Sequence, residues 1–215
     1  MRTINHNFEM NIEHYVVINF FGLASIIDSL GGLDIELTKQ EASAINAYIK
    51  KNPPAYDNQG DDYVRVPLEK KNGVQHLDGI QAVMYARLRS IDNDFARSAR
   101  QRNLLELLLK KVTQGGMDFN KLFGLLETCL PYAKTNMSLS DLGNLAMVVL
   151  QSGLLDRVNS GAPLLEQNRI PLDGTWKYDE TSSGASVVAF RTSKRLQENI
   201  EALHEFVYGD YYPAD

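Results

Sequence analysis

Residues 15–37 read YVVINFFGLASIIDSLGGLDIEL, and this stretch sets the fold class. Tyr15–Phe20 is an apolar run with Val16, Val17 and Ile18 in succession, the pattern of a buried strand. Gly22–Leu30 reads as a helix. Gly31-Gly32 closes it, because glycine adopts the left-handed backbone that ends helices. Leu33–Leu37 then alternates apolar and acidic residues with the period of a strand. Thr38 followed three residues later by Glu41 is a capping box, opening a helix to about Lys51. Strand, helix, strand, helix is the order of an α/β protein.

Working outward, Met1, Ile4 and Phe8 fall at helical spacing with no N-cap before them, so the chain is expected to begin inside a helix and the fold to be incomplete at its N-terminus. Downstream, Pro53–Asp62 reads as a polar loop, Tyr63–Leu68 as a short strand and Gly73–Leu77 as a turn. Asp78 is positioned to cap a helix through Tyr85. A long helix over Asp94–Thr113 places Leu104, Leu105, Leu108 and Val112 on one face, and Gly115-Gly116 ends it. Helices follow over about 118–130 and 139–152, the second capped by Ser138 or Ser140. Leu164–Ile170 and Ser186–Phe190 read as strands, Asp173–Ala185 as a loop, and Thr192 as the cap of a last helix to Tyr208. The expected architecture is a mixed β-sheet with helices packed on both faces, in a single domain over residues 1–215.

The 215 residues are 44% hydrophobic, with 8 Phe, 10 Tyr and 1 Trp, which argues against disorder. The one cysteine, Cys129, excludes an intramolecular disulfide and a four-thiolate zinc site, and its apolar surroundings read as core. No apolar run reaches the ~18 residues of a membrane span, and the first residues lack the pattern of a signal peptide. His6, His14, His76 and His204 are scattered without metal-ligand spacing. P-loop, G-x-G-x-x-G and G-x-S-x-G motifs are absent.

Charge is concentrated. The net charge is −5, yet residues 81–114 carry seven Lys and Arg against three Asp and Glu. Five of the eleven arginines lie between Arg87 and Arg102. Such an island in an acidic chain points to a focused anion site rather than a nucleic-acid surface. Within it stand YARLR (residues 85–89) and DFARSARQ (residues 94–101). On a helix Arg97, Arg100 and Gln101 are i, i+3 and i+4 and share a face. Arg87 and Arg89, two apart, point the same way in an extended segment. Arginine forks match phosphate oxygens in pairs, so several converging forks with Gln101 as neutral donor suit a pyrophosphate. The competing reading is a solvated basic face whose arginines pair with Asp92, Asp94 and Glu106.

HYVVINFFGLASIIDSLGGLDIEL (14–37), HLDGIQAVMYARLRS (76–90) and DFARSARQRNLL (94–105) together resemble the LytR-CpsA-Psr family of cell-wall glycopolymer transferases. The resemblance covers most of residues 1–114 and runs more loosely beyond. It implies a phosphotransferase that moves a teichoic acid, capsular or similar polymer from a polyprenyl-pyrophosphate carrier to peptidoglycan. The enzyme would act at the extracytoplasmic face of the membrane, held by an anchor this chain does not contain. By the same resemblance Arg87, Arg89 and Arg97 hold the pyrophosphate with Gln101, Asp94 orients an arginine or acts near the acceptor hydroxyl, and Arg100 assists. Mg²⁺ is the implied cofactor, its ligands expected in the part of the family's domain that precedes Met1. Two other functions compete: a non-catalytic module binding polyprenyl pyrophosphate or wall polymer, and a transcriptional regulator. The acidic charge and the lack of a basic recognition helix speak against the regulator.

Overall fold

The computed structural model describes residues 1–51, 64–113, 124, 127, 130–153, 157 and 165–209. The expected helix over 118–130, Cys129 and the loop at 53–62 lie wholly or mostly outside these residues. The chain forms two compact units, one of residues 16–165 and one of residues 1–15 with 166–215.

The larger unit is built around a two-stranded ribbon. Strand β2 (Leu33–Leu37) alternates buried and exposed residues. Leu33, Ile35 and Leu37 enter the core, each contributing roughly 1.5–3 kcal/mol on burial. Its antiparallel partner β3 (Gly73–Leu77) aligns Ile35 with Gln75. The sequence reads this segment as a turn. It is a strand because its backbone completes the β2 ladder, while Val74 faces solvent and only Leu77 is buried. Strand β1 (Val16–Ile18) pairs antiparallel with β4 (Ala133–Thr135), which sequence reading passes over because three residues carry too little pattern.

Helix α2 (Phe20–Ser29) is capped by Asn19, whose side chain accepts from Gly22 N at 2.7 Å. It ends at Gly31 and Gly32, both at positive φ. Helix α3 (Lys39–Lys51) carries the expected capping box: Glu41 Oε2 accepts from Thr38 N, and Glu41 N donates to Thr38 Oγ1. Helix α4 (Gly79–Arg87) has its own box between Asp78 and Gln81 and is buried along eight of its nine residues. Gly79 is required there: a Cβ would lie 2.1 Å from the Ala24 carbonyl oxygen of α2. Helix α5 (Asp94–Thr113) has the expected bounds, and helix α6 (Leu139–Gln151) starts at the Ser138 cap.

The expected strand at 63–68 is irregular from residue 64 on. Its polar groups are satisfied by side chains instead of a ladder: Asn46 bonds both Leu68 N and Leu68 O, and Gln81 Nε2 donates to Val66 O.

The smaller unit contains α1 (Arg2–Phe8), the hairpin β5 (Trp176–Glu180) and β6 (Ser186–Phe190), and α7 (Ser193–Tyr208) capped by Thr192. Strand β5 falls where a loop is expected, because its acidic, mostly exposed WKYDE hides a strand held by ladder bonds. The expected strand at 164–170 is irregular over its described residues. Asn199 is fully buried in this unit. Its side chain accepts from Leu172 N and donates to Thr175 Oγ1 and Arg195 O.

The class is therefore mixed α/β. Among the described residues every strand has one antiparallel partner, giving three ribbons rather than one continuous sheet. No described helix is long and apolar enough to cross a membrane.

Candidate functional site

The arginine segment forms the junction between α4 and α5. Helix α4 runs out at Arg87, Leu88 is extended, and α5 restarts behind Asn93, whose side chain accepts from Ala96 N at 3.0 Å. This short reversal brings Arg87, Arg89, Arg97 and Gln101 to one cavity of about 400 Å³. Phe20, Tyr48, Met84, Leu88 and Ser90 complete its lining. The cavity thus joins a cationic rim to an apolar wall.

Each polar side chain is held differently. The Arg87 guanidinium carbon lies 4.2 Å from the centre of the Phe20 ring and 6.0 Å from that of Tyr48. Stacking against rings orients the fork without using its donors, which stay available to an anion. Arg89 is exposed, with Nε 3.9 Å from Asp94 Oδ1. Arg97 Nη1 lies 3.2 Å from the same oxygen. Arg97 Nε is buried and has no hydrogen-bond partner among the described residues. Gln101 Nε2 donates to Ala86 O at 3.3 Å, which turns the amide toward the end of α4.

Arg100 does not join them. Its side chain is only 7% exposed and points the other way, toward the α4–α5 turn. Nη1 donates to Asp92 Oδ2 at 2.5 Å, and Nη2 donates to Asp92 Oδ1 and Leu88 O, each at 2.8 Å. Glu41 Oε1 lies 3.6 Å from Nη1. The forked bond from Arg100 holds the Asp92 carboxyl below the usual carboxylate range, and Asp92 raises Arg100 in turn. Spacing alone misleads here. Successive helical residues are about 100° apart, so Arg97 and Gln101 can face the cavity while Arg100 faces inward. Beneath the site, burial raises the Tyr85 phenol, which accepts from Asn103 Nδ2 at 3.1 Å.

The implied magnesium finds no fit in these residues. Asp92 is taken up by Arg100, and Asp94 lies against Arg97 and Arg89. No group of three His, Cys, Asp or Glu side chains suited to a metal occurs among the described residues.

Sequence reading missed the apolar wall. Phe20, Tyr48 and Met84 come from three helices, and nothing separates a cavity-lining aromatic from a core one in a single sequence.

The chain matches the model of the LytR_cpsA_psr family over residues 1–198. It belongs to the LytR-CpsA-Psr family. Among this family, the polyisoprenyl-teichoic acid–peptidoglycan teichoic acid transferase TagV of Bacillus subtilis is 24% identical over 159 residues, 73% of this chain and 36% of that protein. A TagU transferase of Enterococcus faecalis is 26% identical over 152 residues, 68% of this chain and 42% of that protein. The chain therefore spans roughly two fifths or less of these curated relatives. The crystal structure of Bacillus subtilis TagV superposes with a TM-score of 0.60 at 22% identity, covering 98% of this chain and 69% of that one. The Streptococcus agalactiae protein gbs0355 gives 0.69 at 18% identity, covering 99% and 63%. The expected LytR-CpsA-Psr-like α/β fold is thereby met.

Proposed function

We propose that this chain carries the pyrophosphate-binding part of a glycopolymer transferase. The transferase moves an anionic wall polymer, such as teichoic acid or capsule, from a polyprenyl-pyrophosphate carrier to peptidoglycan at the extracytoplasmic face of the membrane. The observation that carries the reading is the convergence of Arg87, Arg89, Arg97 and Gln101 on one cavity with an apolar wall. The names borne by TagV and TagU support it.

In this reading the polyprenyl-pyrophosphate group lies across the rim. Its first isoprene units rest on Phe20, Tyr48, Met84 and Leu88. Arg87 and Arg89 bind oxygens of one phosphate, and Arg97 binds the other through its terminal guanidinium nitrogens. A peptidoglycan hydroxyl oxygen attacks the phosphorus that bears the polymer. A new P–O bond forms, the bridging P–O bond breaks, and polyprenyl phosphate leaves with the electron pair. The hydroxyl proton passes to water. Charge gathers on the bridging oxygen as it leaves, and the arginines act by neutralising it, which is the main demand of phosphoryl transfer. Asp94 serves as an orienter, holding Arg97 and Arg89 toward each other.

The test is to mix the chain with a polyprenyl-pyrophosphate-linked glycan and peptidoglycan oligomers and to follow release of polyprenyl phosphate. Release that disappears in Arg87→Ala and in Arg97→Ala supports the reading. Release that persists in both variants overturns it. Arginine-dependent binding of the lipid with no release reassigns the chain to a non-catalytic pyrophosphate-binding module.

A further inference from the structure

We infer that Arg100 is a positioning residue that sets the spacing of the anion grip without touching the anion. The inference rests on the pyrophosphate reading of the cavity and adds to it.

One buried guanidinium is tied to every element that supplies the rim. It sits on α5, one residue before Gln101 and three after Arg97. Its Nη2 holds the carbonyl of Leu88, the residue between Arg87 and Arg89. Both nitrogens of its fork hold Asp92, which closes the turn between the two helices. Glu41, near the start of α3, flanks it, and α3 carries Tyr48 of the cavity wall. Arg100 thus clamps the end of α4 and the turn after it, which present Arg87 and Arg89, against the helix that presents Arg97 and Gln101. A guanidinium suits this task because a planar fork fixes direction as well as distance.

The alternative is that Arg100 contributes its charge directly to the anion, and the two roles predict opposite signs for one substitution. Asp92→Asn removes a carboxylate near the cavity and frees an arginine. If Arg100 acts by charge, anion affinity rises. If Arg100 acts through Asp92 as a clamp, the turn loosens and affinity falls although the site has become more positive.

The experiment measures binding of farnesyl pyrophosphate by calorimetry to the wild-type chain, Asp92→Asn, Arg87→Ala, Arg97→Ala and Asp92→Asn combined with Arg97→Ala. The positioning role predicts that Asp92→Asn binds about tenfold more weakly, the effect of one charge-assisted bond held out of place. It also predicts that the substitution adds little once Arg97 is gone, because there is then no second anchor to keep in register. A merely structural defect would weaken both backgrounds equally. If Asp92→Asn does not fold, Arg100→Lys, which keeps the charge and loses the fork, is read by the same criteria. Affinity that is unchanged or raised, with Arg87→Ala still abolishing binding, overturns the clamp and leaves the pyrophosphate reading standing. A wild-type chain that binds no farnesyl pyrophosphate, or an Arg87→Ala chain that binds it equally well, overturns both.

Discussion

Arg97 and Arg100 lie one helical turn apart, yet truncation should move stability in opposite directions. In Arg97→Met the methionine keeps the apolar stem and removes a guanidinium whose Nε is buried without a partner among the described residues. Leaving such a donor unsatisfied costs about 1–3 kcal/mol. The lost partner, Asp94, is 73% exposed, so that ion pair contributes only about 0–1 kcal/mol. Arg97 is 22% exposed, which trims the first figure toward its lower end. The net change is a stabilisation between about 0 and 2 kcal/mol. In Arg100→Met the relief at its own buried, unpartnered Nε is outweighed, because the loss takes two charge-assisted bonds from the partly exposed Asp92 and strands the Leu88 carbonyl; the net loss is about 1–3 kcal/mol. For a chain of this length each kcal/mol moves the melting temperature by about 2–4 °C. Urea denaturation followed by far-ultraviolet circular dichroism, with equal m-values required, reads both variants. A loss of more than about 1 kcal/mol in Arg97→Met would show that Arg97 serves the fold, and would refute the claim that its donors are kept for a ligand.

Arg87→Lys keeps the charge but loses the fork and the stacking on Phe20. Its affinity for farnesyl pyrophosphate should fall about tenfold by calorimetry, and an unchanged affinity would count against the bidentate grip. Asp92 is held below its ordinary value by Arg100, so its stabilisation is present above the unfolded carboxylate pKa of about 4 and is lost as pH falls through the lower folded value. Acid titration of stability should therefore be flatter in Asp92→Asn than in wild type. Asn199→Ala leaves the Leu172 N–H and the Arg195 carbonyl without their side-chain partner in a fully buried setting. It should destabilise the smaller unit by about 2–4 kcal/mol, read by the quenching of Trp176 in urea.

Much of the local structure was legible because caps announce helices. Thr38 with Glu41, Asp78, Ser138 and Thr192 all cap the helices their positions imply. β2 was legible through its strict alternation, which matches a ribbon with one buried face. β3 and β5 were not, because an exposed ribbon strand is stabilised by its partner's backbone and needs little apolar pattern of its own. The site was legible in its charges: four of the five expected anion-binding side chains line one cavity. Arg100 stands apart from the other four because Asp92, eight residues earlier, takes its fork, a pairing set by the geometry of the turn and not by helical spacing. The apolar wall depends on Phe20, Tyr48 and Met84 meeting across three helices, a contact that no local pattern encodes.

The central claim is that Arg87, Arg89 and Arg97 together receive a lipid pyrophosphate while Arg100 stays with Asp92. The most direct measurement is an arginine-selective Nε–Hε NMR titration of the chain with farnesyl pyrophosphate. The account predicts that the Arg87, Arg89 and Arg97 resonances shift and saturate together while that of Arg100 stays in place. Saturating binding that moves Arg100 and leaves those three unmoved would contradict it.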